Sequence, residues 1–371
     1  MRIAFIKQRY VPFGGGEGYL ERLMKGCAQE GHSVHLITMD WASGDSAFPL
    51  EIHPVKLHYS MRSTKAKAFA AEAAACVAGN NFDVVFSLER TNCQQIWRGG
   101  EGVHRIWLDQ RTKYESAVRS WWNERSRFQK NMLALERECI LNTPFLIANS
   151  GMVKRDLLEV FPDLKGEVHV VQNGFDPGQF SIRGRDENRR RIRAEFDIAE
   201  SARLLLFPGS GFRRKGLTEM LRVMKILPDF TLLVIGRDDT GYWQQLARWL
   251  GVSERVRFPA PRRDLCRVYH AVDSTVLPSW YDPFGNVGVE SLACGTPLVS
   301  TVFTGASELI QPGINGVRIS SPAEIEELAN AIRQAVNISG GAAVAETVKN
   351  NSIEQNIKQT LRIVSKAAAR E

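Results

Sequence analysis

Leu204-Leu205-Leu206-Phe207-Pro208-Gly209-Ser210-Gly211-Phe212-Arg213-Arg214-Lys215-Gly216 passes from an unbroken apolar run into a glycine-rich turn that carries three consecutive cations. A short apolar run bounded by turn formers reads as a strand buried on both faces. The cations then fall at the carboxyl edge of a sheet, where open α/β folds bind ligands. The pattern repeats downstream. Strand candidates at Leu232–Ile235, Arg257–Phe258, Thr275–Leu277 and Leu298–Ser300 alternate with helical periodicity, and helices close the series near 322–336 and 342–349. Upstream, Ile3–Ile6 is a strand that runs into Pro12 and a glycine cluster. Leu20, Leu23, Met24, Cys27 and Ala28 then give one apolar face to a helix over about 17–30 that stops at Gly31. Val34–Thr38, a helix near 66–78, Val84–Leu88, a helix across 122–141, Phe145–Ala148 and Val168–Val171 continue the alternation. Strands each followed by a helix pack as parallel sheets covered on both faces.

Turn formers cluster at Asn173-Gly174-Phe175-Asp176-Pro177-Gly178, which places a domain boundary there: residues 1–175 form one doubly wound domain and 176–352 a second. The run Arg183 to Arg193, with six arginines, reads as a solvated linker and helix face. A length of 371 residues, 44% hydrophobic and 24% charged, suits two buried cores and excludes a disordered, collagenous or disulfide-scaffold chain. Forty-eight Lys+Arg against forty-one Asp+Glu leave a net charge of +7, which favours an anionic partner. The six cysteines show no CxxC pair and read as reduced thiols of a cytoplasmic protein. The N-terminal apolar run is too short for a signal peptide, and no stretch approaches the ~20 apolar residues that span a bilayer, so membrane contact is expected to be peripheral.

Gly14-Gly15-Gly16-Glu17-Gly18 lies between the first strand and the first helix, a position suited to phosphate. Its spacing is not a dinucleotide fingerprint, and Leu217 after Gly216 rules out a Walker A motif. Arg213, Arg214 and Lys215 repel one another and are most simply explained by an anion such as diphosphate. In Pro278-Ser279-Trp280-Tyr281-Asp282-Pro283-Phe284-Gly285-Asn286-Val287-Gly288-Val289-Glu290, two carboxylates lie eight apart. Pro283 and Gly285 keep Asp282 outside a helix that carries Glu290. The amides of Gly285, Asn286, Val287 and Gly288 form a helix N-terminus fit for phosphate, and a carboxylate on such a helix can hold a ribose diol. His32 and His35 read as structural, with no carboxylate completing a metal set.

Asp282 to Glu290 resembles the acidic-x7-acidic motif of the family 4 retaining glycosyltransferases. Gly209 to Gly216 resembles their basic phosphate loop, and Phe13-Gly14-Gly15 with Glu30-Gly31-His32-Ser33-Val34 resembles their N-terminal signature. Within that family the chain is most similar to the lipopolysaccharide core glucosyltransferases that act on heptose. The resemblance implies an α/β GT-B fold, with two Rossmann-like doubly wound domains facing across a cleft. The first would bind acceptor and be completed by a C-terminal helix within 353–371; the second would bind a nucleotide-sugar. By the same resemblance Glu290 binds the ribose and Asp282 the donor sugar. Arg213, Arg214 and Lys215 neutralise diphosphate, with amides at Gly285, Asn286 and Val287 and at Gly14, Gly15 and Gly16. Arg98-Gly99-Gly100-Glu101-Gly102-Val103-His104-Arg105 resembles the acceptor-domain loop, with Glu101 where an Asp is usual, so Glu101 would orient the acceptor hydroxyl or stabilise the positively charged sugar, and His104 would contact the donor sugar. Asp282, one methylene shorter than the usual Glu, and Ser210 in place of the usual Arg also depart from the family's pattern.

The expected reaction is transfer of a hexose, glucose from UDP-glucose, to a glycan or lipid-linked saccharide with retention, without cofactor or metal. Trp107, Trp121, Trp122 and Phe128, interleaved with Arg105, Arg111, Lys113, Arg119, Arg125, Arg127 and Lys130, suit either an anionic membrane interface on its inner face or an ordinary helix with buried tryptophans. Rival readings are a nucleotide-sugar 2-epimerase of the same architecture and a catalytically silent sugar- or lipid-binding scaffold. Nucleic acid is not an expected partner, since no nucleic-acid module is present.

Overall fold

The computed structural model describes residues 1–10, 15–41, 48–57 and 64–370. The chain divides into two compact units: Met1–Gln172 with Glu354–Glu371, and Asn173–Ile353. Unit 1 is built on a parallel sheet of β1 (Arg2–Ile6), β2 (Ser33–Thr38), β3 (Glu51–Pro54), β4 (Val84–Ser87), β5 (Ile96–Gly99), β6 (Phe145–Ala148) and β7 (Glu167–Val170), in the order β3-β2-β1-β4-β5-β6-β7. Ile3, Ala4, Phe5 and Ile6 have no exposed surface. That is the condition of a strand covered on both faces, and it explains why the run is continuous rather than alternating. Helix Gly15–Gln29 buries Leu20, Leu23, Met24 and Cys27. Helix Ile353–Ala368 packs on it: Thr360 Oγ1 lies 3.2 Å from the Tyr19 hydroxyl, and a Cβ on Gly26 would come within 3.2 Å of Ile357.

Unit 2 has β8 (Arg203–Pro208), β9 (Phe230–Ile235), β10 (Val256–Arg257), β11 (Ser274–Leu277), β12 (Leu298–Thr301) and β13 (Gly316–Ile319), parallel and in the order β10-β9-β8-β11-β12-β13. Successive residues of β8 face opposite cores. Leu205 and Phe207 pack with Leu232, Val234, Leu328 and Ile332, whereas Leu204 and Leu206 pack with Leu233, Ile235, Val268 and Tyr269. Each fully buried aliphatic side chain contributes roughly 1.5–3 kcal/mol. Both units are Rossmann-like, and the fold is the GT-B type.

Three features differ from the sequence reading. The helix expected over 122–141 is two, Ala117–Arg125 and Arg127–Asn142, because Ser126 turns extended and its hydroxyl accepts from the Gln129 amide at 3.2 Å. β3, β5 and β13 carry polar or glycine residues that hide the strand period. In β5 the Arg98 guanidinium is buried 4.0 Å over the Tyr19 ring.

The arginine run is a solvated face only in part, since Arg183, Arg190 and Arg191 are exposed and the other three are not. In helix Arg185–Glu195, Arg185, Arg189 and Arg193 recur every four residues and point inward. Arg193 is 1% exposed; it donates to the carbonyls of Ala271, Ala199 and Ala202 at 2.8–2.9 Å and pairs with Asp273 at 3.0 Å. Arg189 joins the same carboxylate at 2.9 Å, and Asp273 also accepts from the Leu204 amide at 2.7 Å. Arg185 donates to the Cys294 carbonyl and the Thr296 hydroxyl. The network ties this helix to the origins of β8 and β11. Arg193→Met, which leaves Asp273 short of a partner, is expected to lower unfolding free energy by about 3–5 kcal/mol in denaturant titration. Arg193→Met with Asp273→Asn should cost less than the sum of the single changes.

Candidate active site

Strand order in unit 2 reverses at β8, with β9 and β10 on one side and β11, β12 and β13 on the other. The loops leaving β8 and β11 therefore border the crevice at the carboxyl ends of the strands, the place where such sheets receive ligands. Those two loops carry the residues that the sequence singles out.

The loop after β8 is folded back on itself. Gly209 and Gly211 have φ of +99° and +83°, and Gly216, at +82°, begins helix Leu217–Val223. A Cβ on Gly216 would stand 2.0 Å from the Pro278 carbonyl oxygen, so only glycine lets the loop lie against the segment after β11. Asp238, beyond β9, fixes the other side by accepting from the amides of Gly211 at 2.9 Å and Phe212 at 2.6 Å. The Trp280 amide donates to the Arg214 carbonyl at 2.9 Å.

This packing delivers Lys215 across Gly209 to Asp282. Lys215 Nζ lies 2.9 Å from Asp282 Oδ2, and the two residues are 6% and 8% exposed. Arg214 Nη1 donates to the Tyr281 carbonyl at 2.6 Å and lies 3.7 Å from the same carboxylate oxygen. The backbone of Asp282 is pinned to the segment after β12, its amide donating to Phe303 and its carbonyl accepting from Gly305. Burial pushes the Asp282 carboxyl up, but Lys215 and Arg214 outweigh it and hold the group below the usual carboxylate range.

Helix Asn286–Ala293 starts at Gly285, whose φ is +79° and whose Cβ, if present, would lie 3.6 Å from Asp282 Oδ2. The amides of Asn286 and Val287 are in the first turn, where helix geometry provides no intrahelical acceptor. Asn286 Oδ1 accepts from Asn173 Nδ2 at 2.7 Å. Glu290, farther along the helix, accepts from the Tyr269 hydroxyl at 3.2 Å. Burial pushes Glu290 up to about 7, against the hydrogen bond from Tyr269 and the charge of Lys215. Asp282 is thus charged at neutral pH, while Glu290 sits close to its midpoint. Arg213 takes another direction, its guanidinium 5.8 Å over the Tyr242 ring.

Unit 1 holds the remaining candidates. Gly15 and Gly16 are the first residues of helix Gly15–Gln29, whereas Gly14 lies outside the described residues. β5 runs through Gly100 and Glu101 to Gly102 (φ +73°) and helix His104–Thr112. Glu101, exposed, pairs with Arg90 at 2.8 Å; Arg90 also meets the fully buried Glu136 at 3.1 Å. Glu136 accepts from the His104 amide at 2.9 Å. His104 Nε2 is 2.6 Å from Gln129 Oε1, and its ring stacks on Trp107. Burial pushes His104 down, against the Gln129 hydrogen bond, so the imidazole is neutral at neutral pH.

Sequence reasoning missed Asp238, Tyr269, Arg90 and Glu136. Asp238 alone left a signal, a carboxylate in the loop that follows a predicted strand. Among the described residues His35, Glu51 and His53 also gather, with His35 Nδ1 at 3.1 Å from His53 Nε2 and 3.2 Å from Glu51, so a carboxylate does stand beside His35.

Residues 188–358 match the family model for glycosyl transferases group 1, and residues 13–179 match that for glycosyltransferase family 4. The chain is 25% identical over 356 residues to lipopolysaccharide glucosyltransferase WaaG of Escherichia coli (strain K12), across 91% of this chain and 90% of the relative. The crystal structure of WaaG superposes with a TM-score of 0.75 at 21% identity, covering 99% of this chain and 98% of the other. Anabaena Alr3699/HepE in complex with UDP-glucose superposes with a TM-score of 0.69 at 19% identity, covering 99% and 100%.

The Glu290 proton is bound more tightly in the folded chain than in the unfolded one, where the ordinary value is 4.5. Its contribution to stability is in place below that value and is lost as the pH rises to about 7. Unfolding free energy of the ligand-free protein is expected to show a decrement of up to about 3 kcal/mol across this window. Glu290→Gln should remove that decrement in denaturant titrations run at each pH.

Proposed function

This chain belongs to the glycosyltransferases that the group 1 and family 4 models describe, and on that premise we propose that it moves glucose from UDP-glucose, with retention, to a sugar hydroxyl of a lipid-linked saccharide, the heptose of a lipopolysaccharide core. The observation that carries this reading is the meeting of Lys215, Arg214 and Asp282 beside the start of helix Asn286–Ala293, with Glu290 on that helix. The name of the Escherichia coli relative supports glucose and lipopolysaccharide, and the UDP-glucose held by the Anabaena fold neighbour supports the donor.

In this reading Asp282, charged and immobile, accepts hydrogen bonds from the donor sugar's hydroxyls. Glu290, when ionised, accepts from the ribose diol. Arg214, Lys215 and the amides of Asn286 and Val287 take up the charge that grows on the diphosphate as the bond from the anomeric carbon to the phosphate oxygen breaks. A departing diphosphate oxygen takes the proton of the acceptor hydroxyl, whose oxygen bonds the anomeric carbon on the face just vacated. Configuration is retained without an enzyme nucleophile. The cations and amides supply the leaving-group charge stabilisation that a divalent ion supplies elsewhere. In unit 1, Glu101 held by Arg90 is suited to orienting an acceptor hydroxyl, and neutral His104 to hydrogen-bonding a sugar.

The surface of unit 1 favours the membrane alternative over buried tryptophans. Trp121 and Trp122 are 49% and 67% exposed, beside exposed Val118 and Phe128, and the Arg125 guanidinium stacks 4.2 Å over Trp121. Exposed indoles among cations suit the interface of an anionic leaflet. No helix among the described residues is long and apolar enough to cross a membrane.

Lys215→Ala is expected to lower turnover of UDP-glucose by about 100-fold or more, and a chelator should leave wild-type turnover unchanged. A donor screen that finds GDP- or ADP-glucose preferred overturns the donor assignment. Trp121→Ser with Trp122→Ser should weaken sedimentation with anionic vesicles and leave turnover of a soluble acceptor intact; unchanged sedimentation overturns the membrane reading.

A further inference from the structure

A second cluster of reactive groups lies in unit 2, outside the proposed donor site. Cys266, on helix Leu265–Ala271, places its Sγ 3.5 Å from that of Cys294, the residue that ends helix Asn286–Ala293. His270 is close, with Nε2 at 3.7 Å from Cys266 Sγ. Cys266, His270 and Cys294 thus have the proximity of a metal set, but the imidazole is already committed. Its Nε2–H donates to the Ser181 carbonyl at 2.7 Å, and Nδ1 accepts from the side-chain Nδ2 of Asn188 at 3.1 Å. Two thiols remain, and the chemistry open to a close pair of thiols is redox.

The two thiols are unequal. Cys294 is fully buried, whereas Cys266 lines a cavity of about 930 Å3. Arg183, Arg263 and Arg267, all exposed, line the same cavity. Asp264 also borders it, but its carboxylate is paired with Arg262 at 2.8 Å. The cavity falls within the size range of small-molecule sites, roughly 300–1,000 Å3, and its charge selects anions. Burial pushes Cys27 and Cys139 up to about 12 and Cys93 up to about 11. A hydrogen bond from Cys294 instead pulls Cys266 down, and burial raises Cys294 in turn. The accessible sulfur is thereby the nucleophile and the buried one its partner.

We propose that Cys266 and Cys294 are a reversible redox pair, in which Cys266 takes up an anionic low-molecular-weight disulfide from the arginine-lined cavity and Cys294 resolves it into an intramolecular disulfide. The Cys266 thiolate attacks one sulfur of the small disulfide, forming a mixed disulfide and expelling one thiolate. Cys294, losing its proton, attacks the Cys266 sulfur and expels the second. The two protein thiols lose two electrons and two protons, and the small disulfide is reduced to two thiols; excess small thiol reverses both exchanges. The bond would join the two helices that hold Glu290, since Tyr269 lies on the helix of Cys266 and donates to Glu290 on the other.

The test treats the full chain, freed of reductant, with oxidised glutathione and maps every cysteine by peptide mass spectrometry. Wild type is expected to lose two hydrogens and to yield a Cys266–Cys294 cross-linked peptide that small thiols reopen. Cys294→Ser should retain one glutathione on Cys266, and Cys266→Ser should yield neither product. The uncharged 2-hydroxyethyl disulfide should react at Cys266 more slowly than oxidised glutathione, and Arg183→Ala, Arg263→Ala and Arg267→Ala combined should abolish that difference. Cys266 left free while Cys76 or Cys93 takes up glutathione overturns the proposal, and so do equal rates for the charged and uncharged disulfides. If a serine variant fails to give the wild-type thermal melt, the wild-type map and the rate comparison decide alone.

Discussion

The contact between Lys215 and Asp282 is the constraint on which the candidate site depends. An ion pair removed from water yields little net stability, because the desolvation of both charges offsets their attraction. Its effect lies in position. With Lys215 bent over Gly209 and Asp282 pinned through its backbone to Phe303 and Gly305, a cation and an anion are held at the carboxyl edge where strand order reverses. Removing Asp282 leaves Lys215 a buried charge without its partner, and removing Lys215 leaves Asp282 with Arg214 alone at 3.7 Å.

The surrounding elements serve that contact. Gly216 exists as glycine because the loop must press against Pro278, and Asp238 holds the far side of the loop by its amides. Beneath them, β8 is anchored at its other end by Asp273, which gathers Arg189, Arg193 and the Leu204 amide. The polar network at the base and the ion pair at the top bracket a strand whose residues after Arg203 are apolar and buried. Three positive-φ glycines in one loop are the backbone cost of bringing a lysine back over its own turn.

How much of this was legible in the sequence depended on the range of the interaction. Strands such as Ile3–Ile6 and Leu204–Phe207 declare themselves because both faces are buried, and the glycines and prolines around Lys215, Asp282 and Glu290 mark loops at strand ends. β5 escapes the pattern because Arg98 interrupts its apolar run and is stacked over the Tyr19 ring, far away in the chain. Arg193 resembles a surface charge until Asp273 and four carbonyls are brought to it. Arg90 and Glu136, 46 residues apart, leave no local pattern at all. The inward direction of every fourth arginine is present as a period, which the charge of the side chains masks.

Helix Ile353–Ala368 lies at the end of the chain yet covers helix Gly15–Gln29 near its beginning, so unit 1 is discontinuous while unit 2 is drawn from one stretch. On a translating ribosome, every residue of unit 2 is synthesised before the segment that covers helix Gly15–Gln29. The earlier unit must wait, its apolar stripe at Gly26 uncovered, for a helix that arrives last. A premature stop shortly after Ile353 would therefore spare the later-made half and leave the nascent first half as the client of chaperones and proteases.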